Sequence, residues 1–346
     1  MNILGIETSC DETAAAVVKD GRHVLSNVVY TQIPLHVPYG GVVPEIASRA
    51  HIEKISEVVR AAIKEADGAK IDAVAVTYGP GLSPALIVGL NAAKGLAKSL
   101  DVSLFGINHI EAHLHTPFLD GDVEPADMMP ALGLAISGGH TTWIDMPEYG
   151  SYSIVGQTLD DAAGEAFDKA AKLLGLGYPG GPKVDKIAKE YVGDFIPFPK
   201  GRPREGVSAL AGLPADCCVS FSGLKTALLR YVQKNGGAEA LSAAGEIPRI
   251  VASYQEAIVQ SVAERTATAL RRRDYKALVV GGGVSLNSRL RTVLAEVCSR
   301  AKVPLLMAKP KYCGDNGAMI AALAYYRRNK GGAEAMRLDV APSLDF

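Results

Sequence analysis

The chain has 346 residues, of which 48% are hydrophobic and 21% are charged, and its formal net charge is -1. This length exceeds one typical core and predicts two domains of an ordinary globular protein. The near-zero net charge excludes a general attraction to polyanions, so a nucleic-acid partner would need a local basic patch or a helper protein.

The cysteines and the apolar runs define the cellular setting that we expect. The five cysteines form an odd number without a C-x-x-C pair, which predicts neither a disulfide framework nor a cysteine zinc site. The start, MNILGIETSCDET, lacks a basic region and is interrupted by Glu7, unlike a signal peptide. No uninterrupted apolar run approaches the ~20 residues of a membrane helix. We therefore expect a cytoplasmic protein with no membrane partner.

Two stretches share one plan of secondary structure. ILGIETSCDETAAAVVKDG predicts an apolar strand, a polar turn and a second strand of small residues that ends at Asp-Gly. The same plan returns in ALGLAISGGHTTWIDMPEYG, which starts at residue 131. Helical periodicity follows each hairpin, at 45–66 and at 164–174. The repeat indicates two lobes of related topology, although chance similarity of two hairpins is the alternative.

The remaining elements alternate between strands and helices. Residues 71–100 predict a strand, a glycine-rich turn and a helix, which together form an α/β unit. Residues 194–222 contain Lys-Gly-Arg-Pro-Arg and Gly-Leu-Pro and predict a long surface loop before the helix SGLKTALLRYVQK. A long helix at 248–272 leads into the strand KALVVGG, and a final helix covers 316–328. This last helix follows the second lobe in sequence but can return to the first.

The stretch GINHIEAHLHT, at 106–116, contains three of the seven histidines. If it is helical, His109 and His113 share one face with the i,i+4 spacing that lets two imidazoles bind one metal ion. Glu111 falls two residues from either histidine and points away, whereas zinc peptidases place a glutamate base directly after the first histidine. The pattern therefore disfavours a peptidase. Without a third ligand, it leaves metal binding and simple packing of the two histidines equally open.

Three glycine turns have features of phosphate-binding loops. GPGL (79–82) and SGGHT (137–141) follow apolar strands, and GGGVSLNSRL (281–290) follows ALVV and opens a helix. Glycines admit positive φ and let backbone N–H groups approach an anion, and a helix N-terminus adds its dipole. None matches a Walker loop or G-x-G-x-x-G, and each alone is equally typical of a structural turn.

The stretch TLDDAAGEAFDKAAKLLGLGYPGGPKVDK places acidic side chains around a Pro-Gly-Gly turn. Such acids can accept hydrogen bonds from ribose hydroxyls. The alternative is an amphipathic helix with a solvated acidic face, which we favour for Asp160. Asp168 is the better candidate for a ligand contact because it lies among Ala and Phe residues rather than in a run of charge.

The motifs are distinctive as an ordered set. They are ETSCDET, GGVVPEIASRAHI, GPGLSPALIVGLNAAKGLA, NHIEAHLH, SGGHT, DDAAGEAFDKAAKLLGLGYPGGP, SFSGLKTAL, GGGVSLNSRL and CGDNGAMIA. The set resembles that of the TsaD family of bacterial tRNA threonylcarbamoyladenosine synthases, from the first strand to residue 321. The chain departs from the common family pattern at Pro84, where a small residue is usual. It also carries a longer insertion at 198–219, which bears on the rim of the cleft.

The resemblance implies an α/β, two-lobed actin-like/sugar kinase/Hsp70 (ASKHA) fold with duplicated RNase H-like lobes and a nucleotide site in the cleft. We expect the N-terminal lobe to comprise residues 1–128 and about 317–346, and the C-terminal lobe to comprise residues 129–316.

The resemblance also supplies a third metal ligand, the aspartate of a late C-x-D-N motif. It implies one divalent ion per chain, iron or zinc, bound by His109, His113 and Asp315. His115 and Glu111 are not expected to be ligands.

For the substrate, the resemblance implies threonylcarbamoyl-AMP, and ATP or ADP can bind the same cleft. Asp11 and Glu12 resemble polar turn residues near the reacting group and are candidate catalytic residues. Cys10 is interpreted as a buried small residue and not as a nucleophile. The family's adenylate contacts correspond here to Ser137, Gly138, Gly139, Asp168, Gly181, Asp185 and Asn287.

The implied activity is transfer of the threonylcarbamoyl group to N6 of the adenosine 3′ of the anticodon in tRNAs that read ANN codons, with release of AMP. The implied partners are tRNA, a TsaB-like paralogue of the same fold and a TsaE-like ATPase. Two alternatives stay open: a related carbamoyltransferase with a small-molecule acceptor, and a nucleotide-dependent binding module of the same fold. Basic stretches at 200–204, 271–273 and 327–330 are interpreted as solvated surface rather than as a tRNA contact.

Overall fold

The computed structural model describes residues 1–203, 212–328 and 333–344. Part of the insertion at 198–219 and the end of the basic stretch at 327–330 lie outside these ranges. The chain divides into two compact units. Unit 1 comprises Met1–Asp127 and Ala308–Phe346, and unit 2 comprises Met128–Met307.

Within the described residues, unit 1 contains a five-stranded sheet in the order β3-β2-β1-β4-β5. Its strands are β1 (Asn2–Glu7), β2 (Glu12–Lys19), β3 (His23–Thr31), β4 (Ala73–Gly79) and β5 (Ser103–Asn108). Its first helices are α1 (Ile33–His36), α2 (Pro44–Glu65), α3 (Ser83–Leu100) and α4 (His109–His115).

Unit 2, over the residues described for it, contains a second five-stranded sheet in the order β10-β9-β6-β7-β8. Its strands are β6 (Ala131–Ile136), β7 (Thr141–Met146), β8 (Ser153–Gln157), β9 (Ala277–Gly281) and β10 (Leu305–Met307). Its helices are α5 (Ala163–Leu173), α6 (Gly180–Glu190), α7 (Ser222–Lys234), α8 (Gly237–Ala243), α9 (Ile247–Leu270) and α10 (Ser288–Ala301).

Helix α11 (Gly317–Tyr326) completes unit 1. Short 3-10 helices lie between the main elements, at Val37–Tyr39, Thr116–Phe118, Pro125–Met128, Ala215–Cys217, Gly283–Leu286, Pro310–Tyr312 and Ala333–Arg337. None of the helices described combines the length and the apolar character needed to span a bilayer.

The two sheets have the same topology. In unit 1, β1, β2 and β3 form an antiparallel meander, and β4 and β5 continue from β1 in parallel. In unit 2, β6, β7 and β8 form the matching meander, and β9 and β10 continue from β6 in parallel. The predicted repeat of plan is therefore confirmed, since each hairpin recognised in the sequence starts one copy of this arrangement.

The return to unit 1 begins at Ala308, earlier than the predicted boundary at about 317. The cause is a group of hydrogen bonds to Asp120. Lys309 Nζ donates to its backbone oxygen at 2.6 Å, and the Tyr312 hydroxyl donates to its carboxylate at 2.6 Å. The same carboxylate accepts from the Val24 N–H of β3 at 3.1 Å. Asp120 therefore fixes the returning segment to unit 1 before α11 begins.

Helix α11 is apolar on all sides and packs on β1 and β2. A Cβ atom on Gly5 would lie 2.2 Å from the Gly317 oxygen, so glycine is required for this close approach. The helix is capped by Asn316, whose Oδ1 accepts from the Met319 N–H at 3.0 Å. This cap fixes the preceding residue, Asp315, at the start of a buried helix.

The prediction that residues 194–222 form a surface loop is wrong at the C-terminal end of this range. Cys217, Val219 and Phe221 are buried, because Val219 forms a parallel bridge with Thr158 and draws the chain against the sheet of unit 2. The helix predicted after the loop is confirmed as α7. The long helix predicted at 248–272 is also confirmed, with slightly different ends, as α9.

Candidate functional site

Helix α4 places two histidines on one face, as predicted. It begins because Asn108 caps it: Oδ1 of Asn108 accepts from the N–H groups of Ile110 at 2.9 Å and Glu111 at 3.2 Å, which satisfies donors of the first turn. The rings of His109 and His113 lie with centroids 4.6 Å apart and planes at 80°. Both side chains are buried.

Asp315 joins the two histidines from the far end of the sequence. Its Oδ1 lies 3.1 Å from Nε2 of His113 and 3.7 Å from Nε2 of His109. One potential ligand atom from each of the three side chains lies within 4.8 Å of the others. The structure therefore brings together, within unit 1, the three residues that the resemblance implied as metal ligands.

The state of His113 tests whether these residues fit a metal ion. Neither of its ring nitrogens forms a hydrogen bond with any residue that the structure describes, although both are buried. The short contact with Asp315 lacks the alignment of a hydrogen bond. A buried polar atom without a partner is costly, and coordination to a cation would remove this cost. The donor set of two imidazoles and one carboxylate fits a divalent transition metal.

Glu7 supports the cluster and was missed in the sequence. Its Oε2 lies 3.2 Å from Nδ1 of His109 and accepts from the Thr77 hydroxyl. Ser9 Oγ lies 3.2 Å from the same ring nitrogen. Metal-binding histidines commonly bond through their other nitrogen to a carboxylate, which fixes the ring. The available signal was a carboxylate that directly follows four buried apolar or glycine residues, 3–6, in the same strand.

Two carboxylates determine the charge of His109 when no cation is bound. Burial lowers the pKa of His109, but the nearby Asp315 and Glu7 outweigh it and raise the pKa to about 9. Burial likewise opposes ionisation of Glu7, yet its contact with His109 lowers its pKa. The surroundings thus favour one positive charge at this place, which a proton or a metal ion can supply.

The other polar side chains of α4 have structural partners, in agreement with their exclusion as ligands. Glu111 forms an ion pair with Arg327, at 2.5 and 2.9 Å. The ring of His115 packs on Tyr326 with centroids 4.9 Å apart, and burial lowers the pKa of His115 to about 4. Glu111 is therefore directed away from the histidine pair, as the helical spacing predicted.

Asp11 ends the connection from β1 to β2, and Glu12 is the first residue of β2, in the hairpin that also carries Glu7. Asp11 is buried, and its backbone oxygen accepts from the Gln32 N–H at 2.9 Å. Burial and the neighbouring Asp11 raise the pKa of Glu12 well above its usual range. The same two causes raise the pKa of the Cys10 thiol, which agrees with a residue that is not a nucleophile, although Cys10 is only partly buried.

In unit 2, the SGGHT turn joins β6 to β7 and leaves two glycines open. The turn is closed by the Ser137 N–H, which donates to the His140 oxygen at 2.8 Å. Gly138 and Gly139 are exposed, and a Cβ atom on either would meet nothing within 4 Å. Neither has the positive φ expected for glycines of a phosphate-binding turn. Their absent side chains instead leave the backbone accessible to a ligand.

The GGGVSLN turn is built differently. Gly282 has φ 102°, and a Cβ atom there would lie 2.3 Å from the Ile136 oxygen, so this glycine is required by the fold. Asn287 is buried and caps α10: its Oδ1 accepts from the Leu290 N–H at 2.9 Å. Its amide nitrogen donates to Gln255 Oε1 at 2.7 Å. Both the oxygen and the nitrogen of the Asn287 side-chain amide therefore have hydrogen-bond partners within unit 2.

The acidic residues predicted to contact the adenylate connect the helices of unit 2. Asp168 of α5 accepts from the Gly180 N–H at 2.6 Å, at the start of α6 and beside Gly181. Asp185 of α6 accepts from the N–H of Ser288 at 3.1 Å, at the start of α10. The predicted residues thus belong to one connected framework in unit 2.

Two sequence interpretations need correction. The N–H groups of GPGL are engaged, since Gly81 donates to Pro342 at 3.1 Å and Leu82 donates to Ser9 at 2.8 Å. This turn is therefore not open to a phosphate. Asp160 is exposed, but it is more than a solvated acid, because its carboxylate accepts from the Ser220 hydroxyl and from the Phe221 N–H at 2.7 Å. It fixes the chain at the start of α7.

Comparisons with solved structures agree on the fold. HypF of T. kodakarensis matches with a TM-score of 0.59 and 15% identity over 97% of this chain and 49% of that one. The activator of the 2-hydroxyisocaproyl-CoA dehydratase from Clostridium difficile, with bound ADPNP, matches with a TM-score of 0.52 and 16% identity over 95% and 96%. With the duplicated sheets, these likenesses show the actin-like/sugar kinase/Hsp70 fold, here with a candidate metal centre in unit 1.

The family follows from sequence relatives. The model of the family described as "TsaD: tRNA N6-adenosine threonylcarbamoyltransferase" matches residues 23–322. A tRNA N6-adenosine threonylcarbamoyltransferase of Clostridium perfringens is 46% identical over 99% of this chain and 97% of its own length. One from Anaeromyxobacter sp. is 48% identical over 96% and 97%. The chain belongs to the TsaD family, and the predicted family is confirmed.

Proposed function

We propose that this chain transfers the threonylcarbamoyl group of threonylcarbamoyl-AMP to N6 of the adenosine 3′ of the anticodon in tRNAs that read ANN codons. The main support is its membership of the TsaD family, whose description names a transferase of the threonylcarbamoyl group to N6 of a tRNA adenosine. The reaction is acyl transfer from a mixed anhydride. The N6 amine bonds to the carbamoyl carbon and gives up a proton, and the bond from that carbon to the phosphate oxygen breaks to release AMP.

The proposed cofactor is one divalent ion, iron or zinc, bound by His109, His113 and Asp315. The support is the cluster of their ligand atoms and the buried ring nitrogens of His113, which form no hydrogen bond within the described residues. When bound, such an ion would polarise oxygens of the adenylate and stabilise the negative charge that develops as AMP leaves. Two imidazoles and a carboxylate suit iron and zinc alike.

Glu7 and Ser9 are proposed to hold the His109 ring in the orientation in which its Nε2 faces Asp315. Both lie 3.2 Å from Nδ1 of His109, so the ring cannot turn without loss of these contacts. Asp11 and Glu12, on the same hairpin, are proposed as candidates for taking up the proton of the attacking amine.

The adenylate is proposed to bind unit 2, where ATP or ADP would also bind. The support is the exposed backbone of Gly138 and Gly139, which offers N–H groups to a phosphate. Asp168 and Asp185 hold the starts of α6 and α10 in place. The remaining proposed contacts are Ser137, Gly181 and Asn287.

The proposed partners are tRNA, a TsaB-like paralogue and a TsaE-like ATPase, acting in the cytoplasm. We expect the paralogue to pair with unit 1 through α2. This helix exposes Ile52, which is 64% accessible, and the nearby turn exposes Tyr39, which is 59% accessible. Exposed apolar side chains of this size suit a protein interface.

Reconstitution tests the proposal. The assay supplies threonine, bicarbonate, ATP, a threonylcarbamoyl-AMP synthase and tRNA, with and without the two partner proteins, and measures the modified nucleoside by mass spectrometry. We expect product that depends strongly on the partners. No product with every partner present, despite intact binding of metal and AMP, would favour the small-molecule carbamoyltransferase or the binding module.

A further inference from the structure

Helix α6 carries a row of lysines on its exposed side. Lys183, Lys186 and Lys189 follow one another at three-residue steps, and all three side chains are exposed. Residues at this spacing are neighbours on a helix surface, and the row extends about 9 Å along the axis at 1.5 Å per residue. The row begins in the first turn of α6, next to Gly181.

None of these three lysines forms an ion pair with an acidic side chain of the described residues, although Asp185 and the exposed Glu190 lie on the same helix. Some other cations of unit 2 do form such pairs; Lys169 and Lys225 both pair with Asp161. Within the described part of the chain, the polar contact recorded for the row is that of Lys183 with a backbone oxygen at 2.8 Å. In a chain with a net charge of -1, the row is a local basic patch of the kind that a nucleic-acid partner requires.

A pair of aromatic residues, the partly buried Tyr191 and the exposed Phe195, follows the end of the row. The rings of Tyr191 and Phe195 lie with centroids 6.2 Å apart, and Phe195 is 51% accessible. Tyr191 also lines a surface cavity of about 790 Å³, between the end of α6 and the start of α9. Proteins bind unpaired RNA with cations on the backbone and aromatic rings stacked on bases.

The choice between RNA and a second protein depends on the lysines. Interfaces between proteins are depleted in lysine relative to the rest of the surface. Exposed Phe195 alone would suit either partner, whereas three exposed lysines without ion pairs on the preceding helix favour a polyanion with exposed bases.

We propose that the lysine row of α6 and Phe195 form a contact surface for tRNA, with the lysines on backbone phosphates and Phe195 stacked on an unpaired base. The inference rests on the proposed function, because it takes tRNA as the substrate. It assigns the tRNA contact to α6, away from the basic stretches recognised in the sequence.

The test compares two charge-neutralised variants of the full chain in the presence of its partner proteins. One is Lys183→Gln/Lys186→Gln/Lys189→Gln. The matched control, with the same change in charge at exposed positions elsewhere, is Lys70→Gln/Lys98→Gln/Lys234→Gln. tRNA affinity is measured over a series of salt concentrations. Since each contact with a single strand contributes about 0.7 to the slope of log K against log salt, the α6 variant should lose about 2 from that slope, and the control should match the wild type.

Phe195→Ala tests the stacking contact separately. Loss of one stacked base should weaken tRNA binding about fivefold or more, with an unchanged salt slope, and Phe195→Tyr should restore affinity. In the transfer assay, both the α6 variant and Phe195→Ala should raise KM for tRNA and leave kcat at saturating tRNA close to that of the wild type. Circular dichroism verifies that each variant is folded.

The results separate this surface from the proposed function. An unchanged slope and KM in the α6 variant, or an equal loss in the control variant, would overturn the surface even if the wild type forms the modified nucleoside. A weaker association with a partner protein at unchanged tRNA affinity would instead make α6 a protein interface. If the wild type forms no product but its salt slope for tRNA binding decreases in the α6 variant, the contact surface would stand and the proposed function would be wrong.

Discussion

Oε2 of Glu7 lies 3.2 Å from Nδ1 of His109, while Nε2 of the same ring lies 3.7 Å from Asp315. The imidazole is thus held between a carboxylate that ends β1 and one that precedes α11. Carboxylates that hold a metal-binding histidine in this way typically contribute 10- to 100-fold to metal affinity.

Glu7→Gln should therefore weaken metal binding by about 10- to 100-fold, since the amide carries no charge to hold the ring and presents donors to Ser9 and Thr77. Competition with a chromophoric chelator measures this affinity. Glu53→Gln, at an exposed position of α2, is the control and should bind metal like the wild type. Equal affinities of Glu7→Gln and the wild type would show that Glu7 does not position the ligand.

His113→Ala should abolish bound metal and transfer activity while the fold is largely kept, because the ring makes no hydrogen bond within the described chain. Elemental analysis of protein purified without chelator measures the metal. Unchanged metal content in this variant would exclude His113 as a ligand.

Glu111→Gln is the matched comparison on the same helix. It should keep the metal and most of the activity but lose about 1–3 kcal/mol of unfolding free energy, because Arg327 loses its charged partner. If Glu111→Gln were as inactive and metal-free as His113→Ala, a peptidase-like role for this glutamate would need to be reconsidered.

Gly164→Ala should impair adenylate binding. The added Cβ would lie 2.7 Å from both Gly138 Cα and the Ser137 oxygen, so the SGGHT turn must shift. A nucleotide at 100 times its Kd should stabilise the wild type by about 2.7 kcal/mol, and at equal concentrations AMP and ATP should give larger thermal shifts than GTP. The variant should show a smaller thermal shift with AMP and ATP than the wild type. Gly95→Ala, in α3 with open space around it, should shift like the wild type. Equal shifts with GTP would argue against an adenosine pocket.

Asp120→Asn should lower the unfolding free energy by about 1–2 kcal/mol near neutral pH. Burial opposes ionisation of Asp120, but hydrogen bonds from Tyr312, the Val24 N–H and Lys311 outweigh it and lower its pKa. A depressed pKa gives stabilisation that is present above the unfolded value of about 3.9 and is lost as pH falls through the folded value.

The stability difference between the wild type and Asp120→Asn should therefore shrink below about pH 4. Urea unfolding across the pH range measures it. Asp67→Asn is the control, because Asp67 is exposed and has the same left-handed backbone as Asp120. A difference that persists at acid pH would mean that the charge of Asp120 is not what fixes the returning segment.

Local pattern predicted most elements of both units. The hairpins, α2, α5, α7 and α9 follow from the periodicity and turn residues of single segments, and the repeat of plan predicted the duplicated sheets. The end of the loop at 194–222 could not be predicted, because its burial depends on the bridge of Val219 to Thr158, a pairing between distant segments.

The candidate site was likewise predictable from the sequence only where the signal lies within one segment. The helical spacing alone predicted that His109 and His113 share a face and that Glu111 points away. Asp315 required the family resemblance, since it meets the histidines only when α11 packs on β1. The local signal for Glu7, a carboxylate at the end of an apolar strand, did not identify His109 as its partner. The engaged amides of GPGL depend on Pro342 near the far end of the described chain.

The discontinuity of unit 1 has a consequence for the order in which the protein matures. His109 and His113 precede the whole of Met128–Met307, and Asp315 follows it. During synthesis the two histidines therefore emerge from the ribosome long before their third partner, with the whole of unit 2 translated in between. A three-ligand site cannot exist until unit 2 has been made and Asp315 has followed it, so stable metal loading cannot precede the emergence of Asp315.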